Sequence, residues 1–304
     1  MLPPDFLLDR WIEDWLQEDI GRGDWASQSV FPSGWASGLP ERALERGLEQ
    51  GQATPRQAWW VAKQAGAVAG LPIAARVFAR LDREVQFTPL VPEGGLCAAG
   101  QPLAEMQGSG LALLMGERVA LNVAMRLSGI ATTTRRYCRA IAGTGVRLAD
   151  TRKTTPGLRI LEKYATRLGG AVNHRLGLDD AVMLKDNHIA AAGGLTAAVA
   201  QARAHIPFPL SLEVETDSWA LVQEVAPLQV EIVMLDNMDL AAMAQAIAHL
   251  RAVCPRTKIE VSGNVTLERL PEIAALQPDY ISTSALVTRA PWLDISMRLK
   301  PEES

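Results

Sequence analysis

VRLADTRKTTPGLRILEKYATRLGGAVNHRLGLDDAVMLKDNHI, residues 146–189, decides how the chain is read. Val146–Ala149 and Ala181–Leu184 are short apolar runs, and between them Leu158, Leu161, Ala165 and Leu168 recur at helical spacing. Strand, loop, helix, loop, strand is a βα unit, and in such units functional groups collect where strands hand over to loops at their C-terminal ends. Polar residues follow each run at once: Asp150-Thr151-Arg152-Lys153 after the first, Lys185-Asp186-Asn187-His188 after the second. Arg152, Lys153 and Lys185 adjoin buried runs, among Thr, Pro and Gly residues that fix loop shape, and are read as a cationic site on a rigid frame. Lys163 and Arg167 are read as part of a solvated helix face, where ion pairs with Glu162 would contribute little.

Downstream the alternation repeats. Apolar runs at Leu210–Val214, Glu231–Leu235, Lys258–Val261 and Tyr280–Ile281 alternate with helical patterns at Leu195–His205, Ser218–Val225, Leu240–Cys254 and Leu267–Leu276. Counting from the opening stretch, this is the α/β pattern of six βα repeats, a parallel barrel or an open relative of one. It falls short of the eight units of a full barrel. After the cations of the first two strands come Glu213 and Glu215, Asp236 with Asn237, Ser262 with Gly263, and Ser282–Ser284. Parallel strands place these ends on one rim. Cations there suit carboxylate or phosphate, Glu215 and Asp236 can hold Mg2+ through oxygen, and Ser/Gly turns offer backbone N–H groups to a phosphate. Either carboxylate alone would read as a cap for the next helix; both on one rim, facing several cations, read as a shared ligand site.

Upstream, Asp5 is placed to cap a helix carrying Leu8, Trp11, Ile12, Trp15 and Leu16 on one face. Strands at Trp59–Lys63, Ala67–Gly70, Val85–Leu90 and Leu103–Met106 surround a helix at Ile73–Leu81. Residues 1–115 read as an α+β domain, joined by the C-terminal segment 289–304, with the barrel occupying 116–288. Pro32–Pro55, punctuated by Gly and Pro, reads as a surface excursion. Helices are expected at Leu111–Arg126 and Ala131–Ala142, on either side of Ser128-Gly129. Arg118, alone in an otherwise buried helix, requires an anionic partner from this chain, a second subunit or a ligand.

Composition bounds what the site serves. The 304 residues are 48% hydrophobic with a formal net charge of −4, enough to bury a large core as two domains. A net acidic chain is a poor non-specific binder of nucleic acid, so its local basic cluster points to a small, highly anionic ligand. Cys97, Cys138 and Cys254 form no CxxC pair and read as small buried hydrophobes in a reducing compartment. Asp5, Asp9, Glu13 and Asp14 interrupt any signal-peptide core, and no apolar run reaches membrane-spanning length, so a cytoplasmic protein with no membrane partner is expected.

Several segments resemble one family. DTRKTTPG at Asp150–Gly157, NHRLGL at Asn173–Leu178, LKDNHI at Leu184–Ile189, EVE at Glu213–Glu215, MLDN at Met234–Asn237 and VSGN at Val261–Asn264 are similar to the signature segments of the quinolinate phosphoribosyltransferases. ERVALN at Glu117–Asn122, LSGIAT at Leu127–Thr132, EDIGRGD at Glu18–Asp24 and AGLPIA at Ala69–Ala74 resemble it too, so the likeness runs in order along nearly the whole chain. It implies an N-terminal α/β sandwich domain and an incomplete parallel α/β barrel, in a homodimer where each barrel mouth is closed by the other subunit's N-terminal domain. The implied reaction joins quinolinate and phosphoribosyl pyrophosphate, with Mg2+, to give nicotinate mononucleotide, pyrophosphate and CO2 in de novo NAD synthesis. By motif, the resemblance assigns the quinolinate carboxylates to Arg152, His174 and Arg175, with Arg118 reaching in from the second subunit. Lys153 and Lys185 then lie between the two substrates, Glu215 and Asp236 position the ribose hydroxyls and Mg2+, and backbone groups around Ser262, Gly263 and Ser284 hold the 5′-phosphate.

ISTSALVTR at Ile281–Arg289 departs from the family pattern, with Ser284 where glycine is usual and Thr288 where histidine is common. Three other readings stay open. A lyase forming a Schiff base through Lys185 would need an apolar surround to depress the lysine pKa. A related phosphoribosyltransferase acting on a different pyridine or base would share half the site, and His174 with Arg175, suited to a second carboxylate, is what favours quinolinate. A non-catalytic phosphate-binding protein of the same fold is the third.

Overall fold

The fold comes from a computed structural model that describes residues 2–30 and 55–300. The predicted excursion at Pro32–Pro55 lies, Pro55 apart, outside the described residues. The chain divides into two units, Met1–Thr132 with Pro291–Ser304, and Thr133–Ala290.

The first unit holds α1 (Asp5–Ile20), which buries Leu8, Ile12 and Leu16 as its spacing requires. Pro4 occupies the N-cap and Asp5 makes no capping bond. The Asp5 carboxylate, in the first turn, pairs instead with Arg76 at 3.0 Å. After α2 (Trp25–Val30) come β1 (Pro55–Ala62), β2 (Gly66–Ala67), α3 (Leu71–Leu81), β3 (Gln86–Pro89), β4 (Leu96–Cys97) and β5 (Pro102–Ser109). The main sheet is antiparallel in the order β12-β1-β5-β3, where β12 is Ile295–Leu299, so the C-terminal strand returns to pair with the first. Trp60, Phe78 and Phe87 pack edge-on and stacked at its centre.

The two helices expected around Ser128-Gly129 are one, α4 (Gly110–Ala140). Gly129 marks a close approach here, since a Cβ would stand 1.9 Å from the Pro291 carbonyl oxygen. Ser128 Oγ, instead of opening a turn, bonds to both the N–H and the carbonyl of Ala69.

The second unit carries β6 (Arg147–Ala149), α5 (Arg159–Leu168), β7 (Val182–Leu184), α6 (Asp186–Ala191), α7 (Leu195–His205), β8 (Leu212–Thr216), α8 (Trp219–Val225), β9 (Ile232–Asp236), α9 (Leu240–Val253), β10 (Lys258–Ser262), α10 (Leu270–Ala275), β11 (Tyr280–Ser282) and α11 (Ala285–Thr288). Six strands pair in parallel in the order β6-β11-β10-β9-β8-β7. The first strand thus closes against the last while β7 stays at an edge, which makes the barrel incomplete. Leu212, Val214, Val233, Leu235, Ile259 and Val261 join the core shared with the helices. By the two-residue period of a strand, Glu213, Glu215, Met234, Asp236, Glu260 and Ser262 turn to the opposite face, the barrel interior.

Candidate active site

A cavity of about 500 Å3 opens at the C-terminal ends of the parallel strands, all its walls from the second unit. Arg152, Lys153, His174, Arg175 and Lys185 line it. So do Glu215, Asp236, Ser262, Gly263 and Ser284. The remaining predicted residue, Arg118, belongs to α4 in the first unit, where its side chain is exposed and forms no ion pair among the described residues. The expectation that it lies buried is corrected.

Glu213 and Glu215, expected after the third strand, lie within β8. Glu215 reaches the cavity and pairs with Lys185 Nζ. Glu213 sits deeper, 1% exposed, and with the equally enclosed Glu260 of β10 it faces His174. His174 Nε2 stands 3.2 Å from Glu213 and 3.5 Å from Glu260, while Nδ1 accepts the Arg175 N–H at 2.8 Å. That last bond places the ring proton on Nε2. Burial pulls the His174 pKa down, but the two carboxylates outweigh it and hold it above its ordinary value. Burial, and then repulsion from Glu213, pushes Glu260 up to about 7. These three side chains converge closely enough for one cation. Glu260, raised to about 7, is only partly ionised near neutral pH, which lowers the charge the cluster offers a cation.

A second buried cluster fixes the loop that carries His174. Asp150, at the end of β6, accepts from Lys163 Nζ (2.5 Å), Asn173 Nδ2 (2.6 Å), Thr166 Oγ1 (2.7 Å) and the His174 N–H (2.9 Å). Lys163 also donates to the His174 carbonyl at 2.7 Å. Reading Lys163 as part of a solvated face is therefore wrong: it is buried, as is Glu162, which accepts from the N–H and hydroxyl of Thr155. Helix α5 is enclosed from Leu161 through Thr166, so it has no charged outer stripe there, while Arg167 is exposed as expected.

Lys185 has Glu215 as its counter-charge, but the two arginines of the cavity wall, Arg152 and Arg175, form no ion pair among the described residues. Burial and the adjacent Arg152 guanidinium both lower the Arg175 pKa. Arg152 Nε is buried without a hydrogen-bond partner. Neither arginine pairs with a carboxylate among the described residues, and the Arg175 guanidinium donates only to the Ala181 carbonyl there. Two like charges held together, one with an unmet donor, fit a carboxylate or phosphate supplied from outside.

The end of β10 is built differently. Gly263 (φ 82) and Asn264 (φ 50) turn the chain sharply, and Asn237 (φ 56) packs against the glycine so closely that a Cβ would meet Asn237 Oδ1 at 2.2 Å. The N–H groups of Gly263, Asn264 and Ser284 make no hydrogen bond among the described residues. As for a metal, Glu215 and Asp236 present oxygens from neighbouring strands; one oxygen of Glu215 is taken by Lys185 and one of Asp236 by Asn237 Nδ2. The free oxygen of each suits a hard divalent cation. Sequence reasoning missed Glu260, Asp150, Lys163 and the cavity-lining Arg289. The alternation Lys258, Glu260, Ser262 against Ile259 and Val261 was the signal available for Glu260.

Comparison with known proteins extends over both units. Residues 130–298 match the model for the quinolinate phosphoribosyl transferase C-terminal domain, and residues 48–128 the N-terminal domain. A probable nicotinate-nucleotide pyrophosphorylase (carboxylating) of Synechocystis is 53% identical over 298 residues, covering 98% of this chain and 94% of that protein. The human nicotinate-nucleotide pyrophosphorylase (carboxylating) is 37% identical over 305 residues, covering 100% and 95%. The crystal structure of NadC from Streptococcus pyogenes superposes with a TM-score of 0.87 at 39% identity, covering 99% of each chain.

Proposed function

The chain belongs to the quinolinate phosphoribosyltransferase family, and from that premise we propose how its residues carry the reaction. It is a carboxylating nicotinate-nucleotide pyrophosphorylase: quinolinate and phosphoribosyl pyrophosphate become nicotinate mononucleotide, pyrophosphate and CO2, a step of NAD biosynthesis.

The observation that carries the residue assignment is the pair of adjacent guanidiniums, Arg152 and Arg175, with no carboxylate of their own. They receive the two carboxylates of quinolinate, next to His174, whose ring Glu213 and Glu260 keep in place. Arg118 of a second protomer completes this half of the site, which makes the working enzyme a homodimer with shared sites. Lys153 lies between the substrates, and so does Lys185, steered by Glu215. Glu215 and Asp236 bind the ribose hydroxyls and would hold Mg2+, whose charge would offset that building on the departing pyrophosphate. The N–H groups of Gly263 and Ser284, with Ser262, take the 5′-phosphate.

The residues then position and stabilise more than they react. The bond from ribose C1 to pyrophosphate breaks with oxocarbenium character, and the pyridine nitrogen forms the new bond to C1. The ring, now cationic, accepts the electron pair left when the neighbouring carboxylate departs as CO2, and that carbon takes up a proton. A cytoplasmic location is inferred with this role; among the described residues no helix is long and apolar enough to cross a membrane.

The test is a mass-spectrometric assay of purified protein with phosphoribosyl pyrophosphate and Mg2+, offered quinolinate or nicotinate. Nicotinate mononucleotide and CO2 from quinolinate alone is expected. Product from nicotinate would overturn the need for a second carboxylate, and no product from either would overturn the reading.

A further inference from the structure

We propose that Arg289 is the charged ligand for the terminal 5′-phosphate of the phosphoribosyl donor and sets selectivity for a phosphorylated over an unphosphorylated sugar. The inference rests on the phosphoribosyl-transfer reading and adds a residue to it.

Arg289 follows α11 directly, and its N–H donates to the Ala285 carbonyl at 3.3 Å, which fixes the residue about one turn beyond Ser284. Its side chain lines the cavity and is exposed, with no ion pair among the described residues. Other cations of the cavity stand elsewhere: Arg152 and Lys153 after β6, Arg175 in the loop before β7, Lys185 after β7. On the side built from β10 and β11 the open donors are otherwise neutral, among them the N–H groups of Gly263, Asn264 and Ser284 and the hydroxyls of Ser262 and Ser284. A sugar carrying pyrophosphate at one end and phosphate at the other needs positive charge at both. Arg289 is the cation available for the second.

Its neighbour does not compete for the task. Thr288 donates its hydroxyl to the Ser284 carbonyl at 3.0 Å and does not line the cavity. Glu268, an acid close enough to feel Arg289, is fully exposed, and its carboxyl is held low first by the Thr266 hydroxyl and its own N–H. Arg289 is thus left to meet an anion from solution, and a guanidinium offers phosphate two parallel N–H donors.

The experiment compares wild type with Arg289→Gln and Arg289→Lys in steady-state kinetics, with inhibition by ribose 5-phosphate, ribose and pyrophosphate as probes. Loss of one charge-assisted contact should raise the donor KM of Arg289→Gln roughly tenfold to hundredfold. Quinolinate KM should stay within about twofold and kcat within about threefold, with Arg289→Lys in between. Inhibition by ribose 5-phosphate should weaken in parallel, while pyrophosphate inhibition holds. An unchanged donor KM in an active Arg289→Gln enzyme overturns the assignment and leaves the enzyme reading standing; so does equal weakening of pyrophosphate and ribose 5-phosphate, which would mark a general field effect. A wild type that does not consume the donor overturns both.

Discussion

Replacing Lys163 with methionine removes one charge from a pair that does not meet water. The Lys163 and Asp150 side chains are each 1% exposed, and the ammonium bridges Asp150 Oδ1 to the His174 carbonyl. Burial pulls the lysine pKa down, against the opposing pull of Asp150. Methionine keeps most of the volume of the stem, so the loss is electrostatic and not a cavity. The Asp150 carboxylate would retain Thr166, Asn173 and the His174 N–H as donors but lose its counter-charge. Breaking one side of a buried pair costs about 3–5 kcal/mol, and three surviving donors place this case near the lower end, about 3 kcal/mol. That is a large part of the roughly 5–15 kcal/mol that holds a domain folded. Adding Asp150→Asn removes the orphaned charge, so the double variant should recover on the order of 2 kcal/mol relative to the sum of the singles. Urea unfolding followed by circular dichroism gives all four stabilities. Quinolinate KM, measured where each variant is folded, should rise about tenfold for Lys163→Met while donor KM moves little, because the freed carbonyl belongs to His174. A Lys163→Met protein within about 1 kcal/mol of wild type would refute the reasoning. So would additive losses in the double variant.

Glu260, ordinarily near 4.3 and raised to about 7 in the fold, stays protonated there while the unfolded chain is ionised, so stability falls as pH rises from about 4.3 to about 7. Glu260→Gln should flatten that segment and be more stable at pH 8 by on the order of 1–3 kcal/mol; parallel stability curves for the two proteins would rule this out. Gly263→Ala places a Cβ 2.2 Å from Asn237 Oδ1 at φ 82 and should lose about 1–3 kcal/mol in denaturation while raising donor KM. Lys153→Ala and Arg118→Ala should each be inactive, yet subunit exchange between them should restore about a quarter of wild-type activity, since one site of each mixed dimer is intact. Mixtures that stay dead would dismiss the shared site.

The parallel sheet was legible because each buried strand is short, apolar and followed at once by polar residues, so Val146–Ala149 and Ala181–Leu184 announce their own ends. Helix α7 was read to the residue for a similar reason, with Gly194 before it and Pro207 after. Failures came where a residue answers to a distant neighbour. Gly129 looks like a break until the Pro291 backbone is set against it, and Lys163 looks like a surface lysine until Asp150 is brought under it. Arg152, Lys153 and Lys185 could be placed because they follow strands; the depth of the carboxylates beneath them could not, because Glu213 and Glu260 are strand residues whose inward direction depends on register.

Register also explains why the rim keeps free positive charge in a chain of net charge −4. Apart from Asp236, the acids near the cavity are already committed: Glu215 to Lys185, Asp150 to Lys163, and Glu213 with Glu260 to His174. An ionised Glu260 would add a second buried negative charge beside Glu213, which already draws on Arg175. In its protonated form, favoured below about pH 7, it leaves Arg152 and Arg175 to the two carboxylates that arrive with the substrate. The buried layer therefore sets the affinity of the open one. If so, Glu213→Gln, which removes a charge that attracts Arg175, should lower quinolinate KM provided the His174 loop stays in place. A higher KM with an unchanged fold would mean that Glu213 acts through His174 alone.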